Sequence, residues 1–520
     1  MTATGGTKHL AALLIASCAL ALAACSGSKS VPMPTPTVPP RPAVYANAAC
    51  PVGAPAGQEL QCGELAVPEN RSNPDSRIIK LAVAVIKSTN PSPEPDPMLY
   101  LSGGPGQPGL ADNMQAFSKT FAEPVQSKRD LVFLDQRGTG YSQPSLDCPE
   151  TNDAFKAALA QDIRNDAQNA GANAAVEACH DRLAKDGIDF TGYSTKENAL
   201  DVKDLMHALG YAKYNVYGLS YGTRLALEVM RQDPQHVRSV VLDSTLPPEV
   251  DADISQSATF QRAVNTLVSG CAADAKCEAA YPGLESTYFA LVAKANQQPI
   301  TVQPTDGATG QKATVVVNGD RILSGTFQAL YDTNLIPLLP FAAKQIASGN
   351  TAILEQIAQQ VAFANLDIAQ AMNTAVECND SVMSLTAQDV AQATKGVRPE
   401  ILAGHLGVST AAELKAAQDV CRVFDITSTV PRTTDPVTSD IPTLVLAGEY
   451  DPVTPPDWGK LAAKTLSHSY FFQFPGSGHG ELFGRHDCAI ALAASFLDDP
   501  SQAPDGACVS AISEPAFLTP

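Results

Sequence analysis

The residues best suited to covalent chemistry lie in the pentapeptide 218–222, Gly-Leu-Ser-Tyr-Gly. The apolar run 214–219 is typical of a buried strand, and the residues after it have helical spacing. A serine on so tight a turn between a strand and a helix exposes its hydroxyl, and the N-terminus of the helix favours negative charge that develops beside it. This pattern predicts that Ser220 is the nucleophile of an acyl-transfer reaction.

A nucleophilic serine needs a base, because a hydroxyl at its ordinary pKa attacks poorly, and the base needs an acid to orient it. Four histidines follow Ser220 far enough along the chain to return to it: His405, His468, His479 and His486. His479 lies in a glycine-rich turn just past a predicted strand, where a ring can project over the edge of a sheet. We predict that His479 is the base, with His486 as the alternative.

Three acidic residues are candidates for the residue that orients the histidine. Asp451 follows the predicted strand 442–447 within a few residues, and we predict that it is the acid. Asp243 ends an earlier predicted strand and is the alternative, although it could instead cap the turn that follows it. Glu449 is close enough to compete, and we interpret it as a residue that supports the acid or faces the substrate.

The early segment Ser102-Gly-Gly-Pro-Gly106 also follows a predicted strand, and its adjacent glycines expose backbone N–H groups. We predict that the N–H groups of Gly104 and Tyr221 form an oxyanion hole. The stretch 104–109 matches the dinucleotide pattern G-x-G-x-x-G as well, but its two prolines remove donors that a phosphate would need. The sequence therefore predicts no organic cofactor, and the absence of closely spaced cysteine pairs and of HExxH predicts no metal.

Short apolar runs alternate with helical patterns, which indicates a mostly parallel sheet covered by helices on both faces. The predicted strands are 78–86, 98–102, 131–135, 214–219, 238–243, 442–447 and 470–474. Between 247 and 431 helical spacing dominates, and a strand pair is predicted near 300–317. We predict one α/β domain in two parts, 49–246 and 435–520, with a helical lid inserted at 247–434. A separate second domain is the alternative.

The first residues resemble the signal of an exported lipoprotein. Lys8 precedes an apolar run, residues 10–24, that has the length of a signal-peptide core and is too short to span a bilayer. The run ends in Leu22-Ala-Ala-Cys-Ser26, which resembles a lipobox. We predict a signal peptide at 1–24, lipid on Cys25 and a proline-rich tether at 25–48. An ordinary signal peptide, with Cys25 incidental, is the alternative.

The cysteines agree with export to a bacterial cell envelope. Of the 12, Cys18 lies in the predicted signal and Cys25 is the predicted anchor, which leaves an even number for disulfides. Pairing of nearest neighbours predicts Cys50–Cys62, Cys148–Cys179, Cys271–Cys277, Cys378–Cys421 and Cys488–Cys508. The formal net charge of −19 argues against nucleic acid as a partner. The sequence does not indicate an oligomeric state.

Taken together, these motifs resemble the proline iminopeptidase and tripeptidyl aminopeptidase group of α/β hydrolases, in particular the exported bacterial kind with a tripeptidyl-aminopeptidase-like C-terminal region. The matching segments are 103–106, 135–142, 218–223, 448–455 and 478–480. The resemblance implies a serine peptidase that removes residues, singly or as a tripeptide, from peptides with a free N-terminus. The chain departs from the proline iminopeptidases at Ser102, where they usually carry histidine.

An enzyme of this kind must hold a substrate ammonium group, because an unpaired buried cation is costly. We predict that Glu377 and Asp380, in the lid, hold it; the alternative is that they are solvated acids beside a disulfide. The same triad would also serve an envelope carboxylesterase or a lipase-like hydrolase. A non-catalytic binding module is a further alternative, although both Ser220 and His479 are present.

Overall fold

The computed structural model describes residues 42–307, 309–362, 367–404, 406–428, 434–483, 487–513 and 515–520. The predicted signal peptide, the predicted lipid site Cys25 and most of the predicted tether lie outside the described residues. So do His405 and the alternative base His486. In the part of the chain that the structure describes, no helix has both the length and the apolar character needed to cross a membrane.

The described strands form a nine-stranded sheet and a separate two-stranded sheet. The strands are β1 (Val44–Asn47), β2 (Leu60–Pro68), β3 (Ile78–Ile86), β4 (Met98–Leu101), β5 (Leu131–Leu134), β6 (Tyr214–Leu219), β7 (Val237–Asp243), β8 (Ile300–Val302), β9 (Val315–Val317), β10 (Thr443–Gly448) and β11 (Ser469–Phe474). The large sheet has the order β1-β2-β3-β5-β4-β6-β7-β10-β11. Its first three pairings are antiparallel and the other five are parallel, so the carboxyl ends of β4, β6, β7 and β10 meet at one edge.

Helices cover this sheet and fill the segment between β7 and β10. They are α1 (Asp112–Phe121), α2 (Pro149–Leu159), α3 (Asn165–Lys185), α4 (Thr195–Ala208), α5 (Tyr221–Gln232), α6 (Ala252–Ala273), α7 (Ala275–Ala280), α8 (Leu284–Gln297), α9 (Gly319–Ala329), α10 (Leu339–Ala347), α11 (Ala352–Val361), α12 (Gln370–Asp380), α13 (Ala387–Ala393), α14 (Pro399–Leu402), α15 (Ala411–Val423), α16 (Pro456–Ala463), α17 (Asp487–Asp498) and α18 (Ala507–Ser510).

Alternation along the central strands divides the core between the two faces of the sheet. In β4, Leu99 and Leu101 pack on one face with α4 and α5, while Met98 and Tyr100 pack on the other with α1 and α17. All four side chains are at most 1% exposed, as expected for a strand covered on both faces. The chain therefore has the α/β architecture that the sequence predicts, with helices packed on both faces of the sheet.

The segment 247–434, called the insertion below, has a hydrophobic core of its own. Helices α6 to α15 and the β8–β9 pair lie in it. Its buried residues include Phe260, Leu323 and Phe327, which pack with one another and with Tyr450 of the loop after β10. The insertion is thus packed directly against the loop that carries Asp451.

Five disulfides are present among the described residues, and they have the pairing that the sequence predicts: Cys50–Cys62, Cys148–Cys179, Cys271–Cys277, Cys378–Cys421 and Cys488–Cys508. Such a set is typical of proteins from an oxidising compartment. One boundary differs from expectation. Residues 44–47 were predicted as the end of the tether, but they form β1, which pairs with β2 from Val44↔Ala66 to Asn47↔Gly63.

Candidate active site

Ser220 lies on a tight turn between β6 and α5. Its backbone has φ 57° and ψ −123°, a conformation that is strained for a residue with a side chain. Glycine is required at both flanking positions, because other backbone atoms lie where a side chain would begin. A Cβ on Gly218 would lie 2.3 Å from the carbonyl oxygen of Gly222, and one on Gly222 would lie 2.2 Å from that of Leu101. Ser220 therefore lies on a tight turn from strand to helix at the carboxyl end of β6.

The loop after β4 lies directly against this serine. A Cβ on Gly103 would be 3.1 Å from the Cβ of Ser220 and 3.6 Å from its Oγ, so a larger residue would crowd the nucleophile. Gly104 has φ 104°, which a side chain would disfavour. Tyr221 begins α5, and the first N–H groups of a helix have no carbonyl partner within it. The predicted oxyanion donors, Gly104 and Tyr221, thus lie on the two segments that flank Ser220.

Polar contacts fix the glycine-rich loop from both sides. The hydroxyl of Ser102, the residue that departs from the family pattern, donates to the carbonyl of Gln107 at 2.7 Å. The carboxylate of Asp135 accepts from the N–H groups of Gly109 and Leu110, both at 2.8 Å. From the insertion, Asn373 of α12 donates to the carbonyl of Pro105 at 3.0 Å. These contacts pre-organise the loop before any substrate binds.

His479 and Asp451 form the other half of the site. Nδ1 of His479 is 2.8 Å from Oδ2 of Asp451, whose side chain is fully buried. Asp451 also accepts from the N–H groups of Val453 and Thr454, and the Thr454 hydroxyl donates to Oδ2 at 2.7 Å. Burial alone would raise the pKa of Asp451, but attraction to His479 and these hydrogen bonds bring it below its ordinary value. Asp451 is therefore held as a carboxylate facing the imidazole.

The loop that carries His479 rests against the serine turn. The N–H of Gly480 donates to the hydroxyl of Ser244 at 2.9 Å, and a Cβ on Gly480 would lie 3.2 Å from Leu219, the residue before the nucleophile. From the insertion, the carbonyl of Tyr331 accepts from the N–H of His479 at 3.0 Å, and the two rings are 4.7 Å apart between centroids. The structure thus brings the predicted nucleophile, base and acid to one edge of the sheet.

The alternative acid, Asp243, is engaged elsewhere. Its carboxylate accepts from the N–H groups of Glu481 and Leu482 at 2.9 and 3.0 Å and from the hydroxyl of Tyr217 at 2.8 Å. Burial raises its pKa in spite of these hydrogen bonds. Asp243 therefore supports the loop after His479, and the geometry favours Asp451 as the acid.

Glu449 also supports a loop. Its Oε2 accepts from the N–H of Gly476 at 2.9 Å, in the turn that precedes His479. This contact fits the predicted supporting role of Glu449.

Glu377 and Asp380, predicted to hold an ammonium group, lie near α5 together with two acids that the sequence analysis missed. Glu377 is hydrogen-bonded to Asp253, and Asp251 adds negative charge to both. Asp380 accepts from the N–H of Thr195 at 3.2–3.3 Å. Burial raises the pKa of Asp380 and of Asp253 to about 6, and it raises that of Glu377 well above its ordinary value. We call these four residues the acidic cluster.

Three members of the acidic cluster lie near Arg224, which comes one helical turn after Ser220. Arg224 donates to the carbonyls of Pro247 and Val250 at 3.1 and 2.7 Å, and its charge favours the ionised forms of Asp253, Glu377 and Asp380. Asp380 in turn contributes to the raised pKa of Tyr221, which shows that it is close to the residue after the nucleophile. The cluster is therefore adjacent to the serine turn.

An apolar cavity of about 1010 Å³ lies within and beside the insertion. Its lining is mainly aliphatic and aromatic and includes Phe155, Leu267, Leu291, Ile346, Leu354 and Ile357. The candidate triad does not line it. However, Thr374 does, and the neighbouring Asn373 bonds to the glycine-rich loop. Helix α12 therefore contacts both the cavity and the glycine-rich loop.

Comparisons with known proteins agree with this arrangement. Residues 96–279 match the family model of the alpha/beta hydrolase fold, and residues 409–508 match that of the TAP-like proteins. The chain is similar to serine protease Hip1 of Mycobacterium tuberculosis (25% identity, 86% of each chain). It is also similar to tripeptidyl aminopeptidase of Streptomyces lividans (29% identity, 62% of this chain and 60% of the relative) and to carboxylesterase B of Mycobacterium tuberculosis (27% identity, 84% of each chain).

Proposed function

This chain is a serine hydrolase of the α/β-hydrolase fold with a TAP-like C-terminal segment, and we propose that it releases residues, singly or as a tripeptide, from peptides with a free N-terminus. Ser220 is the proposed nucleophile, His479 the base and Asp451 the acid. The similarity to proteins named serine protease and tripeptidyl aminopeptidase supports peptides as the substrate class.

In the proposed reaction, His479 takes the proton of Ser220 as the hydroxyl oxygen attacks the scissile carbonyl. The N–H groups of Gly104 and Tyr221 stabilise the oxyanion. Asp451 holds Nδ1 of His479, 2.8 Å away, and stabilises the imidazolium. His479 then gives its proton to the leaving amine, and water releases the acyl group from Ser220 by the same steps. No step of this reaction uses an organic cofactor or a metal.

The acidic cluster is the observation that carries the preference for a free N-terminus. Three of its members, Asp253, Glu377 and Asp380, place negative charge near Arg224. Buried carboxylates in excess of their cations are costly, and a substrate ammonium group would offset that cost. The cluster is also close to Tyr221, within reach of a short peptide whose scissile carbonyl lies at Ser220. We infer that Glu377, Asp253 and Asp380 bind the substrate ammonium group.

The experiment that tests this function uses the soluble chain that begins after Cys25. Peptide p-nitroanilides with one to three residues would be assayed with free and with blocked N-termini, beside short p-nitrophenyl esters. We expect cleavage of the free-amine anilides, loss of that cleavage on blocking, and loss of all activity in Ser220→Ala. Ser269→Ala, which removes an exposed hydroxyl on α6, is the matched control. Equal cleavage of free and blocked anilides would contradict the preference, and turnover of esters alone would contradict the peptidase.

A separate variant tests the role of the acidic cluster. Asp380→Asn keeps the shape of the side chain and removes the charge, so we expect KM to rise about tenfold for free-amine peptides and to stay unchanged for esters. Asp419→Asn removes an exposed acid on α15 and is the control. An equal rise of KM for both substrate types would show that Asp380 has only a structural role.

A carboxylesterase is the second candidate, because the same nucleophile, base and acid would also hydrolyse an ester. The similarity to carboxylesterase B supports this candidate. Faster hydrolysis of p-nitrophenyl esters with longer acyl chains, without cleavage of anilides, would select this function.

We further propose that the protein is held at the bacterial cell envelope by lipid on Cys25. The lipobox-like sequence before that residue supports this placement, and the five disulfides support export. Metabolic labelling with an alkyne fatty acid should mark the full chain and fail to mark Cys25→Ser. Equal labelling of both proteins would refute the anchor.

A further inference from the structure

Three residues with metal-ligating side chains converge at the edge of the sheet opposite Ser220. They are His207 in the last turn of α4, Asp233 directly after α5, and His236 directly before β7. The backbone fixes their positions: His236 donates its N–H to the carbonyl of Asp233 at 3.1 Å, and its own carbonyl accepts from the N–H of Tyr214 at 3.0 Å. Tyr214 is the first residue of β6, so the cluster lies at the amino end of this strand. Ser220 follows the other end of the same strand.

The ligand-type atoms of this cluster are mutually close. Nε2 of His207 is 3.2 Å from Nδ1 of His236 and 3.2 Å from Oδ2 of Asp233. Nδ1 of His236 is 2.6 Å from Oδ1 of Asp233. The side chain of Asp233 is only 3% exposed, while each imidazole is 38% exposed. A buried carboxylate thus lies beneath two imidazoles that solvent can reach.

No arrangement of protons gives each of these three ligand-type atoms a well-matched hydrogen bond. If both facing nitrogens carry protons to bond Asp233, the two N–H groups also point toward each other across 3.2 Å. If one nitrogen lacks its proton, its lone pair faces a carboxylate oxygen. A cation between the three atoms accepts a lone pair from each of them and removes both conflicts.

We propose that His207, Asp233 and His236 bind a divalent transition-metal ion of the Zn²⁺ type. Two imidazoles and a carboxylate are ligands that zinc prefers, and bonds of about 2.0–2.2 Å in a tetrahedral site place ligand atoms roughly 3.3 Å apart. Two of the three separations are 3.2 Å, and the third lengthens when the metal replaces a shared proton. The hydroxyl of Tyr214 donates to Oδ2 of Asp233 at 3.0 Å and orients the carboxylate.

The position of the site indicates what the metal does. It joins the end of α4 to the turn between α5 and β7, two segments that are distant in sequence. It lies at the amino end of β6, whereas Ser220 follows the carboxyl end, so the ion has no contact with the acyl-transfer machinery. The metal is structural: it stabilises the folded chain and leaves hydrolysis unchanged.

The test uses tag-free, EDTA-treated soluble protein titrated with Zn²⁺ by calorimetry. We expect one ion per chain, and at a hundredfold excess over the Kd a rise in Tm of about 2–4 °C. His207→Ala and His236→Ala should each weaken binding at least tenfold and lose the rise in Tm, with hydrolysis unchanged. His468→Ala removes an exposed histidine elsewhere and should bind like the parent. Substitution with Co²⁺ should give the visible absorption of a tetrahedral site in the parent and in His468→Ala only.

Two results would overturn the proposal. One is the absence of saturable binding at millimolar Zn²⁺, and the other is stoichiometric binding that is equal in the parent, His207→Ala and His236→Ala. Neither result depends on the substrate of the enzyme, so the metal site and the proposed function are tested independently.

Discussion

Arg262 and Asp451 are joined by a hydrogen bond of 2.6 Å from the guanidinium to the backbone carbonyl of the candidate acid. The same guanidinium donates to the carbonyl of Glu449 at 2.8 Å. Arg262 belongs to α6 of the insertion, whereas Asp451 follows β10 of the sheet. The insertion therefore helps to position the loop that carries the candidate acid.

Replacement of Arg262 by methionine tests this positioning. We expect kcat to fall about tenfold with little change in KM, because the acid loop loses two donors while the substrate contacts remain. Arg321→Met is the matched control: it removes a partly buried guanidinium that donates to Leu159 and Ala158, away from the triad. A fluorophosphonate titration gives the concentration of active enzyme molecules. Steady-state rates divided by that concentration then give kcat independently of how much of each variant is folded. Equal losses in both variants would mean that Arg262 acts only through stability.

Binding of a free N-terminus should depend on pH with a midpoint near 6. Burial raises the pKa of Asp380 and of Asp253 to about 6, so both lose charge as the pH falls through that value. We expect KM for free-amine peptides, relative to N-blocked esters, to rise about tenfold from pH 7 to pH 5. The ratio removes any effect of pH that is common to both substrates. Parallel pH profiles for the two substrates would contradict this assignment.

The raised pKa values of Asp380 and Asp253 also predict how the stability of the folded chain changes with pH. Because the folded chain binds these protons more tightly than the unfolded chain, their contribution is fully present below about pH 4. It is lost as the pH rises through about 6. Replacing Asp380 by asparagine should therefore reduce the loss of stability between pH 4 and pH 6, as measured by urea unfolding at several pH values.

The glycine after the nucleophile should tolerate no side chain. A Cβ on Gly222 would lie 2.2 Å from the carbonyl oxygen of Leu101, so Gly222→Ala should lower the free energy of unfolding by about 3 kcal/mol or more. Gly171→Ala, in α3 with open space around it, should instead stabilise by about 0.5–1 kcal/mol. Urea unfolding measures both. A neutral Gly222→Ala would contradict the tight turn.

The Cys378–Cys421 disulfide should affect both stability and activity. It joins α12 to α15 across 43 residues, and its removal should cost about 4 kcal/mol on the chain-entropy estimate. Asn373 on α12 bonds to the glycine-rich loop, so the alanine double variant should also lose activity. The Cys271–Cys277 disulfide, with a separation of 6, is the control and should cost about 2 kcal/mol without loss of activity. Similar activity in both double variants would contradict the link through α12.

The candidate triad could be predicted because each member follows a strand closely. Ser220, Asp451 and His479 come after β6, β10 and β11, and the carboxyl ends of parallel strands meet at one edge of a sheet. Arg262 and Asp253 could not be predicted in the same way. They lie on a helix of the insertion whose local pattern gives no sign of the partner that it will meet.

Two structural features were missed for identifiable reasons. The strand β2 contains Gly63, and the space that a side chain would occupy there is filled by the ring of Tyr45 from β1, so the pattern of β2 is weak. The Ala-rich region from Pro149 to Lys185 is divided into two helices, α2 and α3. Arg321 donates to the carbonyls of Leu159 and Ala158 at the end of α2, a tertiary contact that ends the first helix and that no local sequence signal records.

The length of the insertion also determines when the enzyme can become active. Val240 of β7 pairs with Thr443 of β10, about two hundred residues later in the chain. Contacts between such distant residues form late, because a long loop must first close, which costs chain entropy, before these contacts can stabilise the chain. The serine turn can form early from local residues, while Asp451 and His479 arrive only with the last strands. Hydrolytic competence should therefore be one of the last properties that the folding chain acquires.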